Sequence, residues 1–263
     1  MTRRFTPFDA TALTFGFAFL YLPLLVLIVY SFNDSQLLNV WGGFSTRWYV
    51  ALWHNAPLLT ALGNSLAIAA LSAAIATFFG TLAALALVRY TRFWGRPLFT
   101  GMVYAPMVMP EVVTGLSLLL FFVSVGAERG FWTVTLAHTT FTMCYVAVVV
   151  QSRLVTFDRA LEEAAQDLGC PPVRTFFTIT LPLIAPSVLA GFLLAFTLSL
   201  DDVVIASFVT GPGTSTLPME IFNKARRGLS PEINALSSLM LLVVTVVVVG
   251  SSLATKRAAL PGR

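Results

Sequence analysis

Charge is distributed along this chain so as to leave long windows without any. No Asp, Glu, Lys or Arg falls between Asp9 and Asp34 or between Arg47 and Arg89. A spanning helix needs roughly 20 apolar residues, and an ionised side chain at the bilayer centre costs at least ~2.5 to 3.5 kcal/mol on insertion scales. Windows of this length are therefore membrane segments first. Composition agrees: 57% of the 263 residues are hydrophobic and 11% are charged, with a mean hydropathy of +0.84. A soluble domain carries about 25% charged residues, so an ordinary cytosolic or secreted enzyme is excluded. The expectation is a single all-α transmembrane domain over residues 1–263.

Six spans are expected, at about residues 12–32, 62–88, 98–125, 131–151, 183–208 and 233–255. The second is rich in small residues, which let helices approach closely. The third is interrupted by Pro106, Pro110 and Glu111. Eleven of the 16 basic residues fall on one side, which holds Arg3, Arg4, Arg89, Arg92, Arg96, Arg153, Arg159, Arg174, Lys256, Arg257 and Arg263. By the positive-inside rule that side is cytoplasmic, and both termini lie inside. Lys224, Arg226 and Arg227 run against the rule from a long outer connector. Met219 to Arg227 reads as a short surface helix, either offering these cations to an acidic partner or anchoring the chain at the interface. The opening Met1-Thr2-Arg3-Arg4-Phe5 resembles a twin-arginine export signal. No small-residue cleavage site follows it, so the first helix is expected to stay in the bilayer.

The net charge of +4 comes from cations never clustered beyond pairs, which marks topology rather than nucleic-acid binding. Cys144 and Cys170 have no repeated spacing and no neighbouring His, so neither a disulfide nor a metal site is expected. His54 and His138 have no carboxylate or second His at helical spacing and receive no role.

The most informative polar stretch is the inner connector at 153–182. Asp158 to Leu168 has a helix-forming composition, Gly169 supplies the left-handed residue that ends it, and Pro171-Pro172 start a second piece, Val173 to Ile179. Phe176, Phe177 and Ile179 then need a cover, and a partner protein is the economical one.

Glu163-Ala164-Ala165, three residues, Gly169, nine residues, Ile179, one residue, Leu181-Pro182 resembles the EAA motif of membrane subunits of binding-protein-dependent ABC importers. The resemblance implies a type I importer permease fold with a coupling-helix loop between spans four and five. It also implies that Glu163, Ala164, Ala165, Gly169, Leu181 and Pro182 dock a cytoplasmic ATPase dimer, which would bind ATP and Mg. The chain itself is expected to hold no cofactor and no catalytic residue. Its only lysines, Lys224 and Lys256, are not in a phosphate-cradling Gly-Lys-Ser/Thr sequence. Further partners implied are a second homologous permease subunit, a periplasmic binding protein and the lipid of a bacterial inner membrane.

Four segments narrow the resemblance to the polyamine branch, and within it to the second permease subunit of putrescine importers. They are Trp41 to Tyr49, Leu198 to Phe208, Gly211 to Pro218 and Ser230 to Leu236. A polyamine has ammonium ends, so its pathway needs carboxylates or aromatic faces at bilayer depth. Glu111, Asp201, Asp202, Trp48 and Tyr49 are the candidates. Which of the two aspartates faces the pathway stays open, since adjacent helical residues point ~100° apart. Spermidine, an opine or a metal-chelate are alternative cargoes on the same fold. An intramembrane enzyme is disfavoured, because the three carboxylates lack companion His or Asn on their helices and no Gly-x-Ser-x-Gly or His-Glu-x-x-His occurs.

Overall fold

The computed structural model describes residues 6–37, 40–90, 92–227 and 231–258. Arg3, Arg4, Ser230 and Arg263, invoked above for topology and resemblance, lie outside the described residues. Twelve α-helices follow one another among the described residues: α1 (Pro7–Tyr30), α2 (Arg47–Trp53), α3 (Ala56–Arg89), α4 (Arg96–Val108), α5 (Glu111–Ser124), α6 (Phe131–Val155), α7 (Ala160–Asp167), α8 (Pro172–Thr175), α9 (Leu181–Asp201), α10 (Val204–Val209), α11 (Leu217–Arg227) and α12 (Pro231–Ala258). Extended pairing among them is limited to one bridge, Asn33 with Phe44. Contacts divide the chain into two compact units, one of Met1–Leu59 with Asn223–Arg263 and one of Thr60–Phe222.

In the first unit α1 begins with reciprocal capping. The Asp9 N–H donates to Thr6 Oγ1 at 3.2 Å and the Thr6 N–H donates to Asp9 Oδ2 at 3.0 Å. Pro7 starts the helix, where its missing N–H costs nothing. No α1 side chain is buried, and Phe15, Phe17, Phe19, Leu20 and Leu25 are all exposed. A helix apolar all round needs lipid or another protein as its surroundings.

The second unit is built around α3, α6 and α9, whose Ala73, Ala76, Ala84, Val146, Val150, Ile184 and Ala195 form one buried cluster. Small residues allow the close approach. A Cβ added to Gly80 of α3 would stand 2.8 Å from the Met143 carbonyl oxygen and from Val146 Cβ on α6. A second cluster joins Ile68, Phe122, Val134, Phe141, Ile205 and Val209, tying α5 and α10 to the same bundle.

Among the described residues four helical runs are long and apolar enough to cross a membrane: α1, α3, α6 and the continuous stretch Pro172–Asp201. The expected third span departs from a rod. It is two helices bent by 116°, and at 1.5 Å per residue each is about 20 Å long, too short for a ~30 Å core. The cause is Pro110, which lacks an N–H and forces Met109 to an extended φ/ψ of −75°/141°. Pro106, by contrast, sits inside α4 without ending it. The expected fifth span also changes. It starts earlier, because α8 runs through a π-helical turn at Phe176–Thr180 straight into α9, so Val173 to Ile179 is no separate piece. It ends earlier too, at Asp201 rather than near 208.

The α3–α6 contact predicts opposite outcomes for two similar changes. Gly80→Ala overpacks a backbone contact and is expected to destabilise by about 1–3 kcal/mol. Gly63→Ala on the same helix meets nothing within 4 Å and is expected to be neutral or to stabilise by up to about 1 kcal/mol. Thermal unfolding in detergent compares the two.

Candidate functional site

The two interrupted helices of the second unit converge on one cavity. About 350 Å³ in volume, it is lined by Glu111, Phe141, Leu198, Asp201, Asp202, Val203 and Val204. Glu111 is the first residue of α5, immediately after the Pro110 break, and it is exposed. Asp201 is the last residue of α9 and is likewise exposed. The final turn of a helix carries unpaired carbonyls and the negative end of the macrodipole, so the α9 end and Asp201 attract a cation together.

Asp202 is arranged differently. Its side chain is only 4% exposed, and its backbone has turned extended (φ −66°, ψ 130°). The carboxylate accepts the N–H of Ala206 at 2.7 Å and the N–H of Ile205 at 3.3 Å, so it caps α10. On its other side lies His138 of α6, with Nε2 3.2 Å from Asp202 Oδ2 but off the line of a hydrogen bond. His138 Nδ1 is 2.7 Å from Ser199 Oγ, which receives a 3.0 Å hydrogen bond from Ser72 of α3. With Ser72 donating to Ser199, the Ser199 hydroxyl is free to donate to Nδ1, which leaves Nε2 facing Asp202. Every member of this chain is buried. The expectation that the helix continues past both aspartates is therefore corrected: Asp202 ends it, because its carboxylate is satisfied by the backbone of the next helix.

The inner connector is held from within. Gly169 takes a φ of +87° and ends α7, with the Cys170 N–H reaching the Ala165 carbonyl at 3.0 Å. Glu163, Ala164 and Gly169 are exposed and Ala165 is half-buried. Leu181 and Pro182 lie in the first turn of α9, inside the continuous run.

A family model for the inner membrane component of binding-protein-dependent transport systems matches residues 76–257. The chain belongs to that family. The putrescine transport system permease protein PotI of Escherichia coli K12 is 54% identical over 92% of this chain and 88% of its own length. The spermidine/putrescine transport system permease protein PotC of Haemophilus influenzae is 44% identical over 92% of this chain and 93% of its own. The fold matches a chain of a bacterial ABC transporter involved in import of the acidic polysaccharide alginate. That likeness has a TM-score of 0.72 at 13% identity, over 97% of this chain and 99% of the other. The same kind of transporter in complex with an alginate-pentasaccharide-bound periplasmic protein gives 0.71 at 18% identity, over 97% and 94%. The resemblance to polyamine permeases read from the motifs is thus borne out, as is the all-α importer permease fold. A permease of this family is a multi-pass inner-membrane protein.

In this permease Trp48 and Tyr49 belong to the first unit, where both are already engaged. The Trp48 indole N–H donates to the Asn33 carbonyl at 2.6 Å, and Arg47 lies 4.3 Å over the Trp48 ring. Tyr49 OH meets Ser31 Oγ at 2.7 Å and its ring packs on Phe32. The indole face thus holds a cation from its own loop. Lys224 is engaged as well, bonding Glu232 at 3.1 Å, and Asn55 donates to the same carboxylate oxygen at 2.7 Å.

His138 is the residue that sequence reasoning missed. Its partner stands on a different helix, so no local spacing announces it; the only signal is a lone imidazole in a charge-free span. Removing the Asp202 carboxylate strands the buried N–H groups of Ile205 and Ala206, at about 1–3 kcal/mol for each donor left unsatisfied. Asp202→Ala is expected to lose about that much, and Asp202→Asn about 1 kcal/mol, because asparagine still caps a helix. Melting temperatures of the purified permease report the order.

Proposed function

We propose that this permease is one transmembrane subunit of an ATP-driven importer of polyamines, with putrescine the primary cargo. One observation carries the proposal: in a chain 54% identical to a putrescine permease, two carboxylates at broken-helix ends, Glu111 and Asp201, line a single cavity. Broken helices present backbone dipoles to ions at mid-membrane in other transporters. Putrescine carries an ammonium at each end, so two carboxylates balance it. Asp202 is left out of that balance, since its charge is already met by two N–H groups and His138.

Membership of the family supports a reading of the rest of the machine. A second homologous permease subunit would complete the pathway, and a cytoplasmic ATPase dimer would bind ATP and Mg and dock on Glu163, Ala164, Ala165 and Gly169, with Leu181 and Pro182 behind them. A periplasmic polyamine-binding protein would deliver the substrate. Six crossings with both termini inside, α12 being the sixth, agree with the distribution of Lys and Arg. The pathway then opens alternately to the two sides as the ATPase closes and releases. Spermidine is the second reading, favoured by relatives named for both polyamines.

Uptake of labelled putrescine in cells lacking their own polyamine importers, expressing the whole complex, tests this. A charge-assisted hydrogen bond contributes about 1.5–3 kcal/mol, so Glu111→Gln and Asp201→Asn are each expected to lower uptake about tenfold or more at unchanged protein level. Excess spermidine in the medium separates the two cargoes. Absence of polyamine uptake by the wild-type complex would contradict the substrate assignment.

A further inference from the structure

The motif glutamate of the inner connector is exposed, but its neighbour Glu162 is not. Its side chain is 16% exposed, and one oxygen, Oε1, serves two other elements at once. Arg89, the last residue of α3, reaches it with a guanidinium nitrogen at 2.5 Å, and the Thr180 hydroxyl donates to the same oxygen. Thr180 is buried and closes the π-helical turn from which α9 begins. A π-turn inside a helix carries an extra residue and often marks a functional position. Arg159, just ahead of α7, donates to the Val88 carbonyl at 3.1 Å, and Arg96 of α4 donates to the Leu87 carbonyl at 3.3 Å. The C-terminal carbonyls of α3 are therefore capped by cations from both neighbours. Arg89 also lies 5.5 Å over the Phe157 ring, which shields the pair.

We propose that Glu162 is the positioning residue that transmits movement of α7 to the spans, joining the docking helix to the end of α3 and the root of α9 through Arg89 and Thr180. This role rests on the importer reading given above. Adjacent residues on a helix point ~100° apart, so Glu163 faces outward while Glu162 is held against the bundle. A push on the outer face of α7 is carried inward by a shielded ion pair. From Thr180 the α9 helix continues unbroken to Asp201 at the cavity. The cavity thus lies at the far end of a helix whose root, Thr180, Glu162 ties to α7.

The test uses the complete complex reconstituted in nanodiscs, with Cys144→Ala and Cys170→Ser removing the native thiols and Val203→Cys reporting from the cavity. Thiol labelling is compared between the nucleotide-free and vanadate-trapped states, alongside putrescine uptake in proteoliposomes. In the wild-type background labelling is expected to change about threefold or more between states. Glu162→Gln, and Thr180→Val as a milder isostere, are expected to abolish that change and cut uptake about tenfold while the ATPase remains bound. The Arg89→Glu/Glu162→Arg double reversal is expected to restore at least part of both. Labelling that switches normally in Glu162→Gln and Thr180→Val overturns the proposal, as does a double reversal no better than either single change. Labelling that switches in the wild type without any putrescine uptake overturns the substrate reading and leaves the role of Glu162 standing.

Discussion

A carboxylate buried among membrane-spanning helices must find compensation inside the protein, since there is no water to supply it. Asp202 meets that demand with two backbone N–H groups of the following helix and the imidazole of His138. The solution has a geometric price: those N–H groups are reachable only if α9 stops and the chain turns extended before α10 begins. The break is thus a consequence of satisfying the charge. An isolated ionised group buried in protein costs several kcal/mol, whereas interrupting a helix sacrifices only a few hydrogen bonds, each with a net value of about 1 kcal/mol. The electrostatic demand outweighs the helical one.

The second break, at Pro110, has a purely covalent origin, and the two together give the cavity its character. One delivers Glu111 at the start of a helix and the other delivers Asp201 at the end of one, so the carboxylates stand on rigid elements rather than on loops. The bundle behind them is closely packed through Gly80, Gly191 and several alanines, which leaves little room for the spans to deform independently. The continuous run from Pro172 to Asp201 starts just after α7 and finishes at the cavity.

Much of this was legible in the sequence, and the reasons for the misses are physical. Charge-free windows locate helices well, because a lipid-exposed segment must satisfy its backbone groups internally, which only helices and closed barrels do. Pro110 announces its own break, for the missing N–H is local. The end of α9 has no such mark: Leu198 to Phe208 contains neither proline nor glycine, and what stops the helix is the Asp202 carboxylate, which turns to the Ile205 and Ala206 N–H groups and is buried beside a histidine on α6. Long-range compensation of this kind leaves no trace in spacing. The same holds at the connector, where the motif draws attention to Glu163 while the shielded contacts belong to Glu162. Trp48 and Tyr49 illustrate the converse. As residue types they suit cation recognition, but the polar atoms of their own loop, Asn33 and Ser31, and the Arg47 guanidinium account for them first.

The claim on which the account turns is that Asp202 anchors the break while Asp201 and Glu111 face the cargo. An electron-microscopy structure of the whole complex trapped with putrescine examines it most directly. The account predicts ammonium density against Glu111 and Asp201, with the Asp202 carboxylate still on the Ile205 and Ala206 N–H groups and beside His138. A structure in which Asp202 has turned onto the ligand and α9 runs unbroken past it would contradict the account.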